Sequence, residues 1–223
     1  MRIVSVLLLL ASIAWAQVAR EANQDYETPE QRAKMVERLE SPARLANLRL
    51  KELVSSLKIQ PGSTVVDLGT GTGTLLKELS KAVGPQGRIV AEDIYADFLD
   101  RARERAREAG LNSVEFVLGT EVDPKLPPGA ADLVVVVDAY HHFGYPEQML
   151  AGIKRGLRPG GRLAIVEYHK KYGAMEVDPD FALTHVRAAT DQVVREVEAA
   201  GFKLQWNREH APGKQYIVMF RAL

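Results

Sequence analysis

One stretch of the chain decides the fold: Thr64-Val65-Val66-Asp67-Leu68-Gly69-Thr70-Gly71-Thr72-Gly73-Thr74. Its first five residues predict a β-strand, and three alternating glycines follow directly. Residues 75–79 then have the apolar spacing of a helix. A strand that passes through a glycine turn into a helix builds a ligand-binding crevice at the carboxyl end of the strand. The glycines permit positive φ and close approach of a ligand, and the helix N-terminus offers N–H groups to an anion.

The spacing of the glycines bears on which ligand this crevice binds. A dinucleotide fingerprint reads G-x-G-x-x-G, and counted from Gly69 and Gly71 it needs a third glycine at position 74, where Thr74 stands. The third glycine is Gly73 instead, and Asp67 lies two residues before the first. From these residues alone, a nucleotide-type turn of unspecified ligand stays open as an alternative.

The D-x-G-x-G-x-G pattern resembles the first motif of the class I S-adenosylmethionine (SAM) dependent methyltransferases. The resemblance extends from about Val54 to Arg221. Further segments that agree with it are residues 88–94, 117–121, 132–143 and 157–163. The resemblance implies an enzyme with SAM as its cofactor and a small molecule as its methyl acceptor, through an oxygen, nitrogen or sulfur atom.

The resemblance also implies the roles of individual residues in binding the cofactor. Asp67 orders the methionine part of SAM through a charge-assisted hydrogen bond to its ammonium, and Asp93 accepts hydrogen bonds from both ribose hydroxyls. Thr120 stands where the family has aspartate beside the adenine, so the adenine contacts differ in detail. A turn or capping role is the alternative for both aspartates. The predicted cofactor-binding residues are Asp67, Gly69, Thr70, Gly71, Gly73, Asp93, Ile94, Thr120, Glu121 and Asp138.

The segment from Asp138 to His142 resembles the one that faces the transferred methyl group in this family. An oxygen or nitrogen nucleophile loses a proton, and histidine titrates near the working pH. His142 and His141 are therefore candidate bases, with His142 preferred, and Tyr140 lines the substrate pocket or fills the core. One of two adjacent histidines commonly packs against the sheet instead. The predicted catalytic residues are His142, His141, Asp138 and Tyr140.

A metal-dependent variant needs ligands at the ends of neighbouring strands. Asp138 with Glu167 or His169 could supply oxygen and nitrogen ligands. Catechol-type O-methyltransferases use a similar location but have an Asp-Asn pair after the fifth strand, where this chain has Glu167-Tyr168-His169. Solvated residues at a strand end are the simpler interpretation, so we predict no metal ion. The absence of cysteine excludes disulfides and thiolate ligands.

Strand and helix patterns alternate along most of the chain, which implies a doubly wound sheet. Two strands separated only by a loop then end it, and these are expected to be antiparallel. The predicted fold is α/β, a doubly wound, seven-stranded and mostly parallel sheet with a C-terminal antiparallel hairpin and helices on both faces. The predicted strands are residues 64–68, 88–92, 114–118, 133–138, 162–168, 201–206 and 215–221. The predicted helices are residues 32–39, 43–57, 74–83, 96–109, 146–157 and 190–200.

The N-terminus has the pattern of a secretory signal peptide. Arg2 precedes an apolar stretch, and Ala14-Trp15-Ala16 fits an A-x-A cleavage site. The predicted parts are a signal peptide at residues 1–16, a helical lead-in at 17–58 and a SAM-binding domain at 59–223. The protein is then exported, periplasmic or secreted. The alternatives are a membrane anchor through residues 3–15 and a misassigned start.

Composition limits the possible partners. The chain has 29 basic and 29 acidic side chains, which disfavours a nucleic-acid substrate. The apolar leader is shorter than the roughly 20 residues of a spanning helix, so no stable membrane span is expected after cleavage. A SAM-binding protein without catalysis is the first alternative function, because SAM is made in the cytoplasm and the leader predicts export. A nicotinamide-dependent oxidoreductase is less favoured, because the glycine at position 74 is missing.

Overall fold

A computed structural model describes residues 18–175 and 177–223. The predicted signal peptide, residues 1–16, lies outside the described residues. Within the described ranges, no helix has the length and apolar character needed to cross a membrane.

A single sheet of seven strands organises the fold, in the order β3-β2-β1-β4-β5-β7-β6. Strands β1 to β5 pair in parallel, while β7 is antiparallel to both β5 and β6. The strands are β1 (Thr64–Leu68), β2 (Arg88–Asp93), β3 (Val114–Leu118), β4 (Ala131–Val137), β5 (Leu157–Tyr168), β6 (Phe202–Ala211) and β7 (Gln215–Ala222). The predicted α/β fold with its C-terminal hairpin is confirmed.

Helices cover both faces of this sheet. The helices are α1 (Pro29–Leu39), α2 (Pro42–Asn47), α3 (Leu50–Ser56), α4 (Leu76–Val83), α5 (Ala96–Glu108), α6 (Pro146–Gly156), α7 (Phe181–His185) and α8 (Thr190–Ala199). Residues 18–23 are also helical. Short 3₁₀ turns occupy Gln24–Tyr26 and Tyr140–His142.

Strand alternation explains why the central strands are apolar throughout. Val65 packs in a core with residues of α3, α4 and α5, whereas Val66 packs in a second core with residues of α6 and α8. Successive side chains of a strand point to opposite faces, and here both faces are buried. The near-continuous apolar sequence of β1 and β4 is therefore what a covered parallel sheet requires.

The helix predicted over residues 43–57 is wrong, because two helices, α2 and α3, occupy this stretch. Arg49 separates them with a φ of 45°. The imidazole of His210 binds the carbonyl oxygen of Leu48 at 2.9 Å, and Arg49 donates to the carbonyl of His210 at 3.0 Å. These contacts to a distant strand hold the break, and the local apolar spacing gives no sign of them.

Two strands are longer than predicted. β6 continues to Ala211 instead of ending at Trp206. Its second half is polar because it lies at the edge of the sheet, where side chains meet solvent. β5 begins at Leu157 and includes the Pro159-Gly160-Gly161 segment, which the sequence suggested to be a turn.

The N-terminal segment, residues 18–57, is attached to α5 by ion pairs. The Glu40 carboxylate binds Arg101 and Arg105, each at 2.8 Å. Arg32 binds Asp97 at 2.6 Å. The hydrogen bond from Arg101 lowers the pKa of Glu40 to about 2. The segment is thereby held beside the carboxyl ends of the parallel strands.

Gly73 is a turn glycine that packs closely against α5. Its φ is +73°, and a Cβ would lie 3.0 Å from the Cβ of Ala102 on α5. We expect Gly73→Ala to lower the free energy of unfolding by about 2–5 kcal/mol, combining left-handed strain with overpacking. Gly110→Ala is the matched control, because Gly110 has a φ of +67° and no neighbour within 4 Å. The free energy of unfolding of Gly110→Ala should fall by only about 1–2 kcal/mol. Equal losses in urea unfolding would contradict the packing role.

Candidate functional site

A cavity opens at the carboxyl ends of β1, β2 and β4, beneath the N-terminal segment. Its wall contains ten of the residues predicted from sequence: Asp67, Gly69, Thr70, Gly71, Asp93, Ile94, Thr120, Glu121, Asp138 and His142. Gly73, His141 and Tyr140 are not part of the wall. Most of the predicted cofactor residues therefore meet at one place.

The glycine turn is tied to the end of the next strand. Gly71 has a φ of +54° and donates its N–H to the Asp93 carboxylate at 2.8 Å. Thr70 donates its N–H to the carbonyl of Glu92 at 2.8 Å. A Cβ on Gly69 would lie 2.7 Å from the Cβ of Ala139, so no side chain fits there. The turn thus exposes backbone to the cavity from a fixed position.

Asp67 and Asp93 are both buried acids in the cavity wall. Asp67 is 3 % exposed and accepts a hydrogen bond from the Thr70 hydroxyl at 2.6 Å. Asp93 is 6 % exposed and also accepts the N–H of Tyr95 at 3.0 Å. Burial raises the pKa of each to about 6. Each carboxylate therefore lies where a ligand that is positively charged or donates hydrogen bonds would stabilise it.

Glu92 is a member of the wall that the sequence analysis did not propose. Its carboxylate accepts the Gly69 N–H at 3.3 Å. Its Oε1 atom is buried without a hydrogen-bond partner in the described part of the chain. A Cβ on Gly119 would lie 1.9 Å from that atom, so the glycine after β3 makes room for the acid. Burial raises the pKa of Glu92 well above its usual value.

Asp138 holds an unusual backbone conformation at the end of β4. Its φ is 51°, in the left-handed region that non-glycine residues rarely adopt. Its carboxylate accepts a hydrogen bond from Gln215 at 2.6 Å and pairs with Arg44 at 3.4 Å. Burial raises the pKa of Asp138 to about 6. Strained residues of this kind cluster at functional sites.

His142 has a hydrogen-bond pattern that fixes its tautomer. Asn23 donates its amide Nδ2 to the carbonyl of His142 at 3.0 Å, so the Oδ1 of Asn23 is an acceptor. That oxygen lies 2.7 Å from Nδ1 of His142, which must carry the hydrogen. Burial and the neighbouring His141 lower the pKa of His142 well below its usual value. The imidazole is therefore neutral, with the lone pair on Nε2.

His141 and Tyr140 point into the protein rather than into the cavity. Nδ1 of His141 lies 2.7 Å from the Glu167 carboxylate, and both side chains are buried. Burial opposes protonation of His141, but the Glu167 carboxylate outweighs it and raises the pKa of the imidazole. The Tyr140 hydroxyl donates to Glu196 at 2.7 Å. Both side chains therefore contact buried residues on one side of β4 instead of the cavity.

The residues weighed for a metal site after β5 bind separate partners. Glu167 is engaged with His141, and Asp138 with Gln215. His169 lies 2.8 Å from the Glu209 carboxylate. Within residues 18–175 and 177–223, Asp138, Glu167 and His169 do not form a cluster that could bind one metal ion.

The N-terminal segment supplies part of the wall that the sequence analysis did not predict. The ring of Tyr26 stacks on Tyr95 with centroids 6.1 Å apart and meets the rings of Phe98 and His142 edge-on. Burial raises the pKa of Tyr26 to about 12. Arg44 contributes a positive charge beside Asp138. The only available signal was the presence of aromatic and basic side chains in a segment predicted to be a helical lead-in.

Comparison with known proteins places the chain in a family. A family model described as a methyltransferase domain matches residues 59–213. A crystal structure of a SAM-dependent methyltransferase from Aquifex aeolicus superposes with a TM-score of 0.78 at 26 % identity, covering 85 % of this chain and 98 % of that one. The chain therefore belongs to the methyltransferase-domain family and is a class I SAM-dependent methyltransferase in fold. SAM is the cofactor that this family and fold imply.

Curated relatives match over part of their length. A 37.1 kDa protein of Streptomyces fradiae, described as uncharacterized, is 35 % identical over 64 % of this chain and 41 % of its own. The ubiquinone/menaquinone biosynthesis C-methyltransferase UbiE of Hahella chejuensis is 34 % identical over 50 % of this chain and 45 % of its own. The chain thus spans less than half the length of the curated relatives it matches.

If Asp67 binds the ammonium of SAM, as its place in the motif predicts, its raised pKa should make SAM affinity depend on pH. The group is ionised above about pH 6 and protonated below it, and only the ionised form attracts the ammonium of SAM. Since about one tenth of such a group is ionised at pH 5, the affinity should fall about tenfold between pH 7.5 and pH 5. Calorimetric titration with SAM measures this. Asp67→Asn should bind SAM more weakly and with a flatter pH profile, and an unchanged profile would argue against the ammonium contact.

Proposed function

We propose that this protein transfers the methyl group of SAM to an apolar small molecule that carries an ionisable hydroxyl. One observation carries the proposal: the glycine turn with Asp93 and the neutral imidazole of His142 line the same cavity. A site for the methyl donor and a group that can receive a proton therefore line one cavity.

The positions of two buried acids, Asp93 and Asp67, support one orientation of SAM in the cavity. Asp93 lies at the end of β2, where its oxygens can accept the two ribose hydroxyls. Asp67 offers a carboxylate to the ammonium, next to the backbone of Gly69 and Gly71. The reactive methyl group then faces the end of β4, at Asp138 and His142. The cofactor supplies the reactive group, while the protein supplies positioning and excludes water.

Methyl transfer is an in-line displacement that needs little covalent help from the protein. The bond between sulfur and the methyl carbon breaks while the acceptor atom bonds to that carbon, and sulfur keeps the electron pair. S-adenosylhomocysteine is the by-product. The proton of the acceptor hydroxyl passes to Nε2 of His142. Correct alignment of donor and acceptor can contribute about 7–11 kcal/mol.

The character of the wall supports an apolar acceptor. Leu39, Leu48, Leu50, Phe143 and Met149 all line the cavity. An apolar wall with a few polar groups is usual for small-molecule sites. The relative named as a C-methyltransferase of ubiquinone and menaquinone biosynthesis also favours an apolar acceptor with an oxygen-bearing ring. Ionisation of such a hydroxyl activates both its oxygen and the neighbouring ring carbon, so either atom can receive the methyl group. When the carbon receives it, the hydrogen on that carbon then leaves as a proton to water and the conjugated ring re-forms.

The experiment is to incubate the purified protein with SAM and a panel of phenols, enols, thiols and amines, and to measure S-adenosylhomocysteine. Turnover with phenols or enols supports the proposal. Turnover confined to amines or thiols contradicts the acceptor class. SAM binding without turnover on any acceptor favours a SAM-binding protein without catalysis.

His142→Ala should reduce turnover about 10²–10⁴-fold and leave SAM affinity unchanged, because it removes the proton acceptor. His169→Ala is the matched control, since His169 lies outside the cavity wall and pairs with Glu209. Full turnover in His142→Ala would reject the role of this imidazole.

Asp93→Ala should weaken SAM binding by roughly 1–3 kcal/mol, because hydrogen bonds to a charged acceptor are lost. Asp100→Ala is the control, because Asp100 is an exposed residue of α5 that pairs with Arg103 and lies outside the cavity wall. Equal SAM affinities for the two variants would exclude Asp93 as the ribose ligand.

A further inference from the structure

Three histidines from separate parts of the chain meet behind the cavity. His141 and His142 belong to the 3₁₀ turn after β4, and His185 is the last residue of α7. One ring nitrogen from each lies within 4.8 Å of the other two. The ring centroids are 4.1 Å apart for His141 and His142 and 4.9 Å apart for His141 and His185. Imidazole nitrogens are the commonest ligands for Zn²⁺ beside thiolates and carboxylates.

Two of these rings have the outer contacts that orient metal ligands. Nδ1 of His141 is held by the Glu167 carboxylate, and Nδ1 of His142 by the Asn23 amide oxygen, each at 2.7 Å. A histidine that binds a metal usually donates its other ring N–H to an oxygen of this kind. Both contacts leave Nε2 as the nitrogen available to a ligand.

The third ring is fixed in place and lacks a polar partner. Phe181 stacks on His185 with centroids 4.4 Å apart and planes inclined by 23°. Within residues 18–175 and 177–223, His185 makes ring contacts but no hydrogen bond. A ring nitrogen of His185 is therefore available to a ligand shared with His141 and His142.

The surrounding charges are compatible with a cation. Glu167 and Asp138 are the acids beside the cluster, and both influence the protonation of His141. Arg187 is the nearby base, and its guanidinium is engaged by both oxygens of Glu196, at 2.8 and 2.6 Å. Its charge is therefore offset.

We propose that His141, His142 and His185 bind a divalent transition-metal ion of the Zn²⁺ class, with the fourth position open. Tetrahedral Zn²⁺ with bonds of about 2.0–2.1 Å separates its nitrogens by about 3.3 Å. The rings therefore close by about 1.5 Å at most when the ion binds. This site differs from the one weighed in the sequence analysis, because Asp138 and His169 are not ligands and Glu167 acts through His141.

The consequence for catalysis rests on the proposed function. Because His142 also lines the cavity, an ion on its Nε2 can bind the acceptor hydroxyl and lower its pKa. The hydroxyl proton would pass to solvent, and the oxygen, or the ring carbon next to it, would bond to the methyl carbon while the bond from that carbon to sulfur breaks and sulfur keeps the electron pair. In the metal-bound protein the ion thus activates the acceptor hydroxyl in place of the free imidazole of His142. The acceptors are then molecules whose hydroxyl can bind a metal.

Co²⁺ and Zn²⁺ titrations of the full chain test the site without any methyl acceptor. We expect one Co²⁺ per chain with the intense visible absorption of tetrahedral coordination, displaced by one Zn²⁺. His185→Gln preserves the size of the side chain and should weaken Zn²⁺ binding at least hundredfold while SAM affinity stays unchanged. His169→Gln is the matched control and should bind as the wild type does. Absence of Zn²⁺ binding, or equal binding by His185→Gln, overturns the site.

Glu167→Gln keeps the shape of the contact to His141 and removes its charge. It should weaken Zn²⁺ binding about 10–100-fold, as loss of an outer contact does. Thermal unfolding of each variant verifies that it is folded. Should Glu167→Gln unfold, the His185→Gln comparison still decides the matter.

Turnover separates this inference from the proposed function. Chelation and His185→Gln should both lower turnover, because the free imidazole of His142 activates the acceptor hydroxyl less than the bound ion does, and Zn²⁺ should restore turnover in the chelated wild type only. Metal binding without any effect on turnover overturns the catalytic part. Metal binding in a protein that does not bind SAM leaves the site standing and rejects the proposed function instead.

Discussion

The burial of three carboxylates around one glycine turn is the constraint on which the rest of the site depends. Asp67, Glu92 and Asp93 lie at the ends of β1 and β2, and in the described ranges none of them is within ion-pair distance of a basic side chain. Backbone N–H groups and one threonine hydroxyl are their partners. Such burial disfavours the charged forms, which is why their pKa values are raised. SAM carries both an ammonium and a sulfonium, so we expect its binding to stabilise the carboxylate charges that burial disfavours.

The N-terminal segment and the histidine turn complete this arrangement from two sides. Asn23 links the segment to His142, and Glu40 links it to α5 through two arginines. Polar contacts therefore border the cavity, and the ring of Tyr26 packs into its wall. A wall that excludes water strengthens the electrostatic interactions on which methyl transfer depends. The contact between Asn23 and His142 also fixes the tautomer of His142, so the position of the N-terminal segment and the state of the imidazole are connected.

The fold and the donor half of the site could be predicted because their signals are local. The strand, turn and acid of residues 64–73 are contiguous, and Asp93 ends the next strand. Other features depend on contacts between distant segments. The break at Arg49 is held by His210, and His185 reaches His141 across more than forty residues. Tyr26 and Arg44 come from a segment whose sequence predicts only helices. The spacing of residues along the sequence contains no information about these long-range contacts, so only the structure shows them.

We propose that the glycine turn and Asp93 bind the nucleoside of SAM and direct its sulfur toward Asp138 and His142. A crystal structure of the protein with S-adenosylhomocysteine would test this arrangement. We expect both ribose hydroxyls within about 3.2 Å of the Asp93 carboxylate, with the sulfur facing the end of β4. A nucleoside bound away from Asp93, or a sulfur facing the opposite side of the cavity, would contradict it.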